Sequence, residues 1–251
     1  MGRSLAAEQV LCRARLYRPA RNTYHRLVNR SYHAERVSAR YFLQQFVTRG
    51  MTVFDIGANR GLMAERFMEL GAGHVVAVEP HPGLAATIRR RYAGVHVVEA
   101  AIGREPGTAT LHVGRDDLHS TISRDWAELV GDRFVNTVDV PVVTLAELIS
   151  EHGMPGFVKV DVEGYEDAAL STMQEPVAAL SFEYQCSSVA ITERCLTQLM
   201  GVGEYEFAGS LGEELRLDTE WTSADGLLEY LAGRRVGQAD AHGDVYARVK
   251  R

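Results

Sequence analysis

From residue 50 to about residue 200 the chain alternates short apolar runs with stretches whose apolar positions recur every three or four residues. Thr52–Ile56 is short, apolar and β-branched, the pattern of a strand buried on both faces, and His74–Val78, Val95–Glu99, Phe157–Val162 and Ala179–Tyr184 read as further strands. After the first run, Leu62, Ala64, Phe67, Met68 and Leu70 keep helical spacing, and Gly71 and Gly73 stop the helix. Pro82 to Tyr92 reads as a helix opened by a proline in its first turn. Thr144 with Glu147 three residues on is a capping box ahead of Leu145-Ala146-Glu147-Leu148-Ile149. Further helices are expected up to Met173 and from about Thr192 to Met200. Strands alternating with helices in this way make a doubly wound, mostly parallel α/β sheet.

The alternation breaks between about 108 and 143. Thr108–Val113 and Asn136–Val143 follow one another without a helix of the usual kind, so an inserted β-ribbon is expected beside the main sheet. Its connecting loop carries His119, and Trp126 to Val130 reads as helical. Toward the end of the chain, Tyr205–Ala208, Glu213–Leu217 and Asp244–Val249, with a short helix Ser223–Leu231, are expected to complete the sheet with antiparallel edge strands. Ahead of the sheet, residues 4–49 read as helical with a break near Arg18-Pro19. Val10, Leu11, Leu16 and Tyr17 mark one helix, and Tyr24, Leu27, Val28, Tyr32, Tyr41, Phe42 and Phe46 a second. The organisation is therefore a helical extension over 1–49 and an α/β domain over 50–251.

Charge changes this picture more than composition does. An apolar fraction of 46% and a charged fraction of 24% in 251 residues suit one globular domain plus an extension. The first fifty residues carry ten arginines against Glu8 and Glu35, so about +8 in a chain of net −6. Two readings follow: an arm that holds an anionic or carrier-bound small molecule, or, preferred as the simpler, a helical cap with solvated or paired arginines. The negative total disfavours nucleic acid. No apolar run has the length of a membrane span, and no signal-peptide pattern appears. The cysteines Cys12, Cys186 and Cys195 are odd in number and lack C-x-x-C spacing, which points to a reducing, cytoplasmic setting. The nine histidines show no H-x-x-x-H or H-E-x-x-H spacing, so no metal site is expected from them.

The chemistry centres on Asp55-Ile56-Gly57-Ala58-Asn59-Arg60-Gly61 and on Glu79-Pro80, which closes the second strand. A strand, a glycine turn, a helix and a second strand ending in an acid form a nucleoside-cofactor layout. A dinucleotide site wants G-x-G-x-x-G so that a pyrophosphate can sit on helix amides. Here the middle glycine is Asn59, the third is absent, and Asp55 would repel a pyrophosphate. The acid suits S-adenosylmethionine, which carries an ammonium and a sulfonium, while Glu79 can take both ribose hydroxyls. Further acids gather at strand ends: Asp161, Glu163, Glu166 and Glu183. Each also has a plain structural use, since Asp161 could cap a helix and Glu166 favour a helix dipole. Oxygen ligands of this kind could also share magnesium or manganese.

DIGANRG, the VEP after it, the VTLAELI helix and VKVDVEGYEDAAL together resemble the FkbM family of S-adenosylmethionine-dependent methyltransferases, from about Met51 to Tyr184. The resemblance implies a class I, Rossmann-like fold and methyl transfer to oxygen, typically hydroxyls of sugars, polyketides or other natural products. It implies that Asp55, Gly57, Asn59, Gly61, Glu79 and Pro80 hold the cofactor, with Asp161 beside it. Where the family often has a polar residue this chain has Ala100, so the adenine contact would fall to backbone around Ala100 and Ala101. An alcohol acceptor must lose its proton, and the candidates for the base are His119, Asp161, Glu163 and Glu183. Two alternatives stand beside this reading: a nicotinamide-dependent oxidoreductase, and a non-catalytic adapter that keeps the fold and binds a partner through its basic arm. Self-association into a homo-oligomer is compatible with all three.

Overall fold

The computed structural model describes residues 30–114, 120–122, 134–212, 215–235 and 242–250. Its elements are α1 (Arg30–Leu43), β1 (Thr52–Ile56), α2 (Leu62–Leu70), β2 (His74–Val78), α3 (Pro82–Arg91), β3 (Val95–Val98), β4 (Ala101–Ile102), β5 (Gly107–Gly114) and β6 (Phe134–Val143). There follow α4 (Leu145–His152), β7 (Phe157–Val160), α5 (Glu166–Leu170), β8 (Ala179–Gln185), α6 (Val189–Val202), β9 (Tyr205–Gly209), α7 (Ala224–Arg235) and β10 (His242–Val249).

Seven strands form one sheet in the order β3-β2-β1-β7-β8-β10-β9. These runs pair in parallel; β1, β2, β7 and β8 are mostly buried, as central parallel strands are, while β3 at the edge is largely half-buried. The pleat then divides their side chains. Phe54, Val76, Val158, Phe182 and Val245 enter one core with Leu148 of α4, Leu196 of α6 and Leu227 of α7. Val53, Val75, Phe157 and Tyr246 enter the other with Phe42 of α1, Phe67 of α2 and Ile88 of α3. Local signals set the helix ends: α4 opens with the full Thr144–Glu147 capping box, and α2 closes on Gly71 at φ 88°.

Helix α1 and the turn after it belong to the second core. Phe46 stacks on Tyr246 with ring centroids 5.1 Å apart and lies 5.6 Å from Phe157. Arg36 pairs with Glu69 of α2. Tyr41, grouped with the apolar residues of this stretch by spacing, is instead 67% exposed. The first helix near Leu11 and Leu16, and the break at Pro19, lie outside the described residues, as do the His119 position and the Trp126–Val130 stretch.

The insertion is a separate three-stranded sheet, β4-β6-β5, with β5 and β6 antiparallel. Two expectations for the C-terminal part need correction. β10 alone is antiparallel, and it lies inside the sheet between β8 and β9, leaving β9 at the edge. The 215–217 stretch is not a strand; Leu215 and Leu217 pack as a loop against the second core beside Trp221. Alternating apolar residues report burial, and burial does not require a ladder partner.

Candidate functional site

Strands wind outward from β1 to β3, then return across the sheet to β7 and wind the other way. At such a reversal the loops after the two central strands part and leave a crevice. The turn after β1 and the turn after β7 therefore face each other. They meet closely: the amide of Asp161 donates to Ile56 O at 2.9 Å, and a Cβ on Gly57 would stand 1.7 Å from Asp161 O. Only glycine fits there, and its φ of +79° is one that glycine alone adopts freely. Asn59 also takes positive φ, at 50°. That conformation is held from outside: the Glu79 carboxylate accepts the Asn59 amide at 2.7 Å and the His81 amide at 2.8 Å.

The second turn repeats the arrangement. Glu163 and Gly164 have φ of 54° and 86°. Glu166, buried at the start of α5, accepts from the amides of Val162 and Gly164 at 3.2 Å each. Thr121 of the inserted segment donates its hydroxyl to Glu163 O at 3.0 Å, so the ribbon reaches this turn. The carboxylates of Asp161, Glu163 and Glu183 lie within 4.8 Å of one another.

Among the described residues, a buried lysine stands among these acids. Lys159 Nζ is 2.6 Å from Asp161 Oδ2, and Asp244 and Asp55 also act on it; their charges outweigh its burial and raise its pKa. The charge of Lys159 does not offset the burial of Asp55 and Asp244. Burial, eased by Lys159, lifts the Asp55 carboxyl to about 6, and the same balance lifts Asp244 to about 6. Burial lifts Glu79 to about 7 despite its two amide hydrogen bonds, and Glu166 to about 7. Glu183 rises to about 9, through burial first and then the charge of Asp161. Asp55 Oδ2, fully buried, has no hydrogen-bond partner among the described residues. The crevice is thus short of positive charge, and a cationic ligand fits it.

The site residues read from the sequence fall into three groups. Asp55, Gly57, Asn59, Gly61, Glu79 and Pro80 come together at the ends of β1 and β2, with Asp161 opposite. Asp161, Glu163 and Glu183 come together at the ends of β7 and β8. Ala100 and Ala101, both buried, sit just beyond β3. His119 lies outside the described residues. Sequence reasoning missed Lys159 and Asp244, and it took Glu166 for a helix-dipole residue without seeing that it holds the 162–164 turn. A lysine inside an otherwise apolar strand was the available signal for the first. Asp244 had none, because its strand joins the sheet only through tertiary pairing.

A doubly wound sheet with a glycine turn after β1, an acid after β2 and an acid after β7 is the class I, Rossmann-like methyltransferase fold. Residues 55–207 match the model described as the methyltransferase FkbM domain. The chain belongs to that family of S-adenosylmethionine-dependent methyltransferases, and the nicotinamide-dependent alternative falls away. Among solved structures, a precorrin-6y C5,15-methyltransferase from Geobacter metallireducens GS-15 is 10% identical over 86% of this chain and 87% of that one, with a TM-score of 0.47. The methyltransferase FkbM from Methylobacillus flagellatus KT is 16% identical over 79% of this chain and 43% of that one, with a TM-score of 0.45. An O-methyltransferase from Bacillus cereus in complex with SAH is 11% identical over 87% and 81%, with a TM-score of 0.44. No curated protein sequence matches.

Proposed function

We propose that this chain methylates a hydroxyl of a small molecule, a natural product such as a sugar or polyketide, with S-adenosylmethionine. The observation that carries the reading is the set of three carboxylates, Asp161, Glu163 and Glu183, gathered beside the glycine turn. S-adenosylmethionine supplies an electrophilic methyl group on a sulfonium. Glu79 takes the ribose hydroxyls on the lone pairs its two amide bonds leave free. The turn over Gly57, Asn59 and Gly61 and the neighbouring Pro80 shape the cofactor's seat, and backbone at Ala100 and Ala101 borders the adenine. Asp55 and Asp161 face the cofactor's cationic part, Asp161 already oriented by Lys159. Alignment of the acceptor oxygen supplies much of the rate, and a carboxylate of the 161/163/183 group removes its proton. Burial, and then the charge of Asp161, push the Glu183 carboxyl up to about 9, which favours its protonated form at neutral pH. His119 stays a candidate because Thr121, two residues on, bonds to Glu163.

Residues 1–49 act as a cap in this reading, supported by Phe42 and Phe46 in the core. The alternative use of the arginines, to hold an anionic or carrier-bound acceptor, would make the acceptor KM salt-dependent. The odd number and the spacing of the cysteines support a cytoplasmic setting, with Cys186 and Cys195 buried, and no described helix is long and apolar enough to cross a membrane. The test is an extract incubated with methyl-labelled S-adenosylmethionine and this protein. A product gaining one labelled methyl as an ether bears the reading out. Label on nitrogen or carbon would overturn the oxygen assignment, and failure to bind the cofactor would favour a non-catalytic adapter. Loss of turnover on adding a chelator, restored by magnesium, would assign the three carboxylates to a cation instead.

A further inference from the structure

Three of the histidines that sequence spacing left scattered are brought together at the opposite end of the sheet from the crevice. His74 is the first residue of β2, His96 the second of β3, and Glu151 and His152 close α4. Parallel pairing sets Val76 beside His96, so His74 and His96 share a face, two positions apart in register. Helix α4 packs over that face through Leu145 and Leu148 and lays its last turn across both strand starts. The ring centroids of His96 and His152 are 4.6 Å apart, and those of His74 and His152 are 5.4 Å apart. Strand β2 separates this cluster from Glu79 by about 16 Å, five residues at about 3.3 Å each.

Donor atoms of His96, Glu151 and His152 all lie within 4.8 Å of one another. His152 has a side chain only 6% exposed, and its Nε2 is buried without a hydrogen-bond partner among the described residues, 3.9 Å from Glu151 Oε1. Its other nitrogen, Nδ1, is 3.5 Å from His74 Nε2. A proton on Nδ1 shared toward His74 leaves the Nε2 lone pair free, which is how a neighbouring acceptor fixes the tautomer of a ligating histidine. A buried imidazole nitrogen with no partner costs stability unless something occupies it. Two imidazoles and a carboxylate form a donor set suited to a borderline transition metal and ill suited to magnesium or calcium. Zinc at 2.0–2.2 Å from each donor would need them to close by about 1 Å. The exposed Glu151 and His96 side chains can supply that movement while His152 stays fixed.

We propose that His96, His152 and Glu151 form a binding site for a zinc-class divalent metal, with His74 orienting His152, distinct from the methyltransferase crevice. The ion would tie the end of α4 to the starts of β2 and β3. Three protein ligands leave its fourth position to water.

The test uses the full chain, stripped with chelator and titrated with zinc by calorimetry, then loaded with cobalt for visible spectroscopy. The expected result is one zinc per chain at this site, a higher Tm with metal, and the intense absorption of four-coordinate cobalt. His96→Ala and Glu151→Gln alter exposed groups and should fold. Each should weaken zinc binding by more than tenfold, and His74→Ala by about 10–100-fold, the usual effect of an orienting partner. S-adenosylmethionine affinity should be unchanged in all three. Zinc binding equal to wild type in both His96→Ala and Glu151→Gln would overturn the proposal. So would zinc binding abolished by Glu183→Gln, which would place the ion in the crevice.

Discussion

The crowding of buried acids has a consequence that can be measured without knowing the acceptor: cofactor binding should release protons. In the free protein Glu79 sits at about 7 and Glu183 at about 9, both driven up mainly by burial. A cation entering the crevice favours their ionised forms, so affinity should rise with pH wherever the free protein holds a proton that the complex does not. If Glu79 alone ionises on binding, affinity grows about tenfold between pH 6 and pH 8, or about 1.4 kcal/mol, and levels off above 7. If Glu183 ionises as well, it adds about tenfold per pH unit up to 9, for about a thousandfold over the same interval. The range stops at 8 because the cofactor's own α-amino group begins to lose its proton there. Calorimetry in buffers of different ionisation enthalpy gives both the affinity and the protons released. S-adenosylhomocysteine lacks the sulfonium charge and should show a smaller rise. Equal affinity at pH 6 and pH 8 with no proton release would refute the reasoning. A slope identical for the two ligands would remove the sulfonium from it.

The same shifts act on folding. A carboxyl raised above its unfolded value contributes stability below that value and loses it as pH rises through the folded pKa. For Glu183 the window runs from 4.5 to about 9, so Glu183→Gln should raise Tm at pH 8 by about 2–4 °C for each kcal/mol recovered, and leave it nearly unchanged at pH 4; a lower Tm at pH 8 would contradict this. Glu79→Ala removes the acceptor of two amides and should cost about 1–3 kcal/mol for each in denaturant melts, while weakening cofactor binding in whatever fraction stays folded; normal stability would show that the Asn59 and His81 amides find water instead. Lys159→Met strips a buried cation from among Asp55, Asp161 and Asp244 and should destabilise by about 3–5 kcal/mol at pH 8, with a smaller loss at pH 5 where Asp55 and Asp244, both raised to about 6, can take protons; a pH-independent loss in chemical denaturation would mark it as packing alone. Gly57→Ala should abolish cofactor binding and lower Tm, since the added Cβ meets Asp161 O at 1.7 Å; unchanged calorimetric affinity would mean that the two strand ends are not fixed against each other.

Sequence by itself determined the parts of this protein that depend on local pattern. Short, mostly apolar runs separated by helical spacing located β1, β2, β3, β7 and β8, because such runs can bury their side chains only by joining a covered sheet. Thr144 with Glu147, and Gly71, set helix ends through hydrogen bonds within a few residues. Asp55, the glycine turn and Glu79 were legible because a strand, a turn, a helix and the next strand span only 27 residues, Thr52 to Val78, and leave few ways to pair. What only the tertiary structure decided depends on contacts between distant segments. The place of β10 inside the sheet, with Asp244 set against Glu183 and close to Lys159, follows from pairing across some 60 residues. The dual role of Glu79, holding the turn as well as facing the crevice, needed the bend at Asn59 to be seen. The meeting of His74, His96 and His152 is the same lesson at the other end of the sheet. Their spacing in the chain says nothing, since it is the parallel register of β2 with β3 and the packing of α4 that make them neighbours.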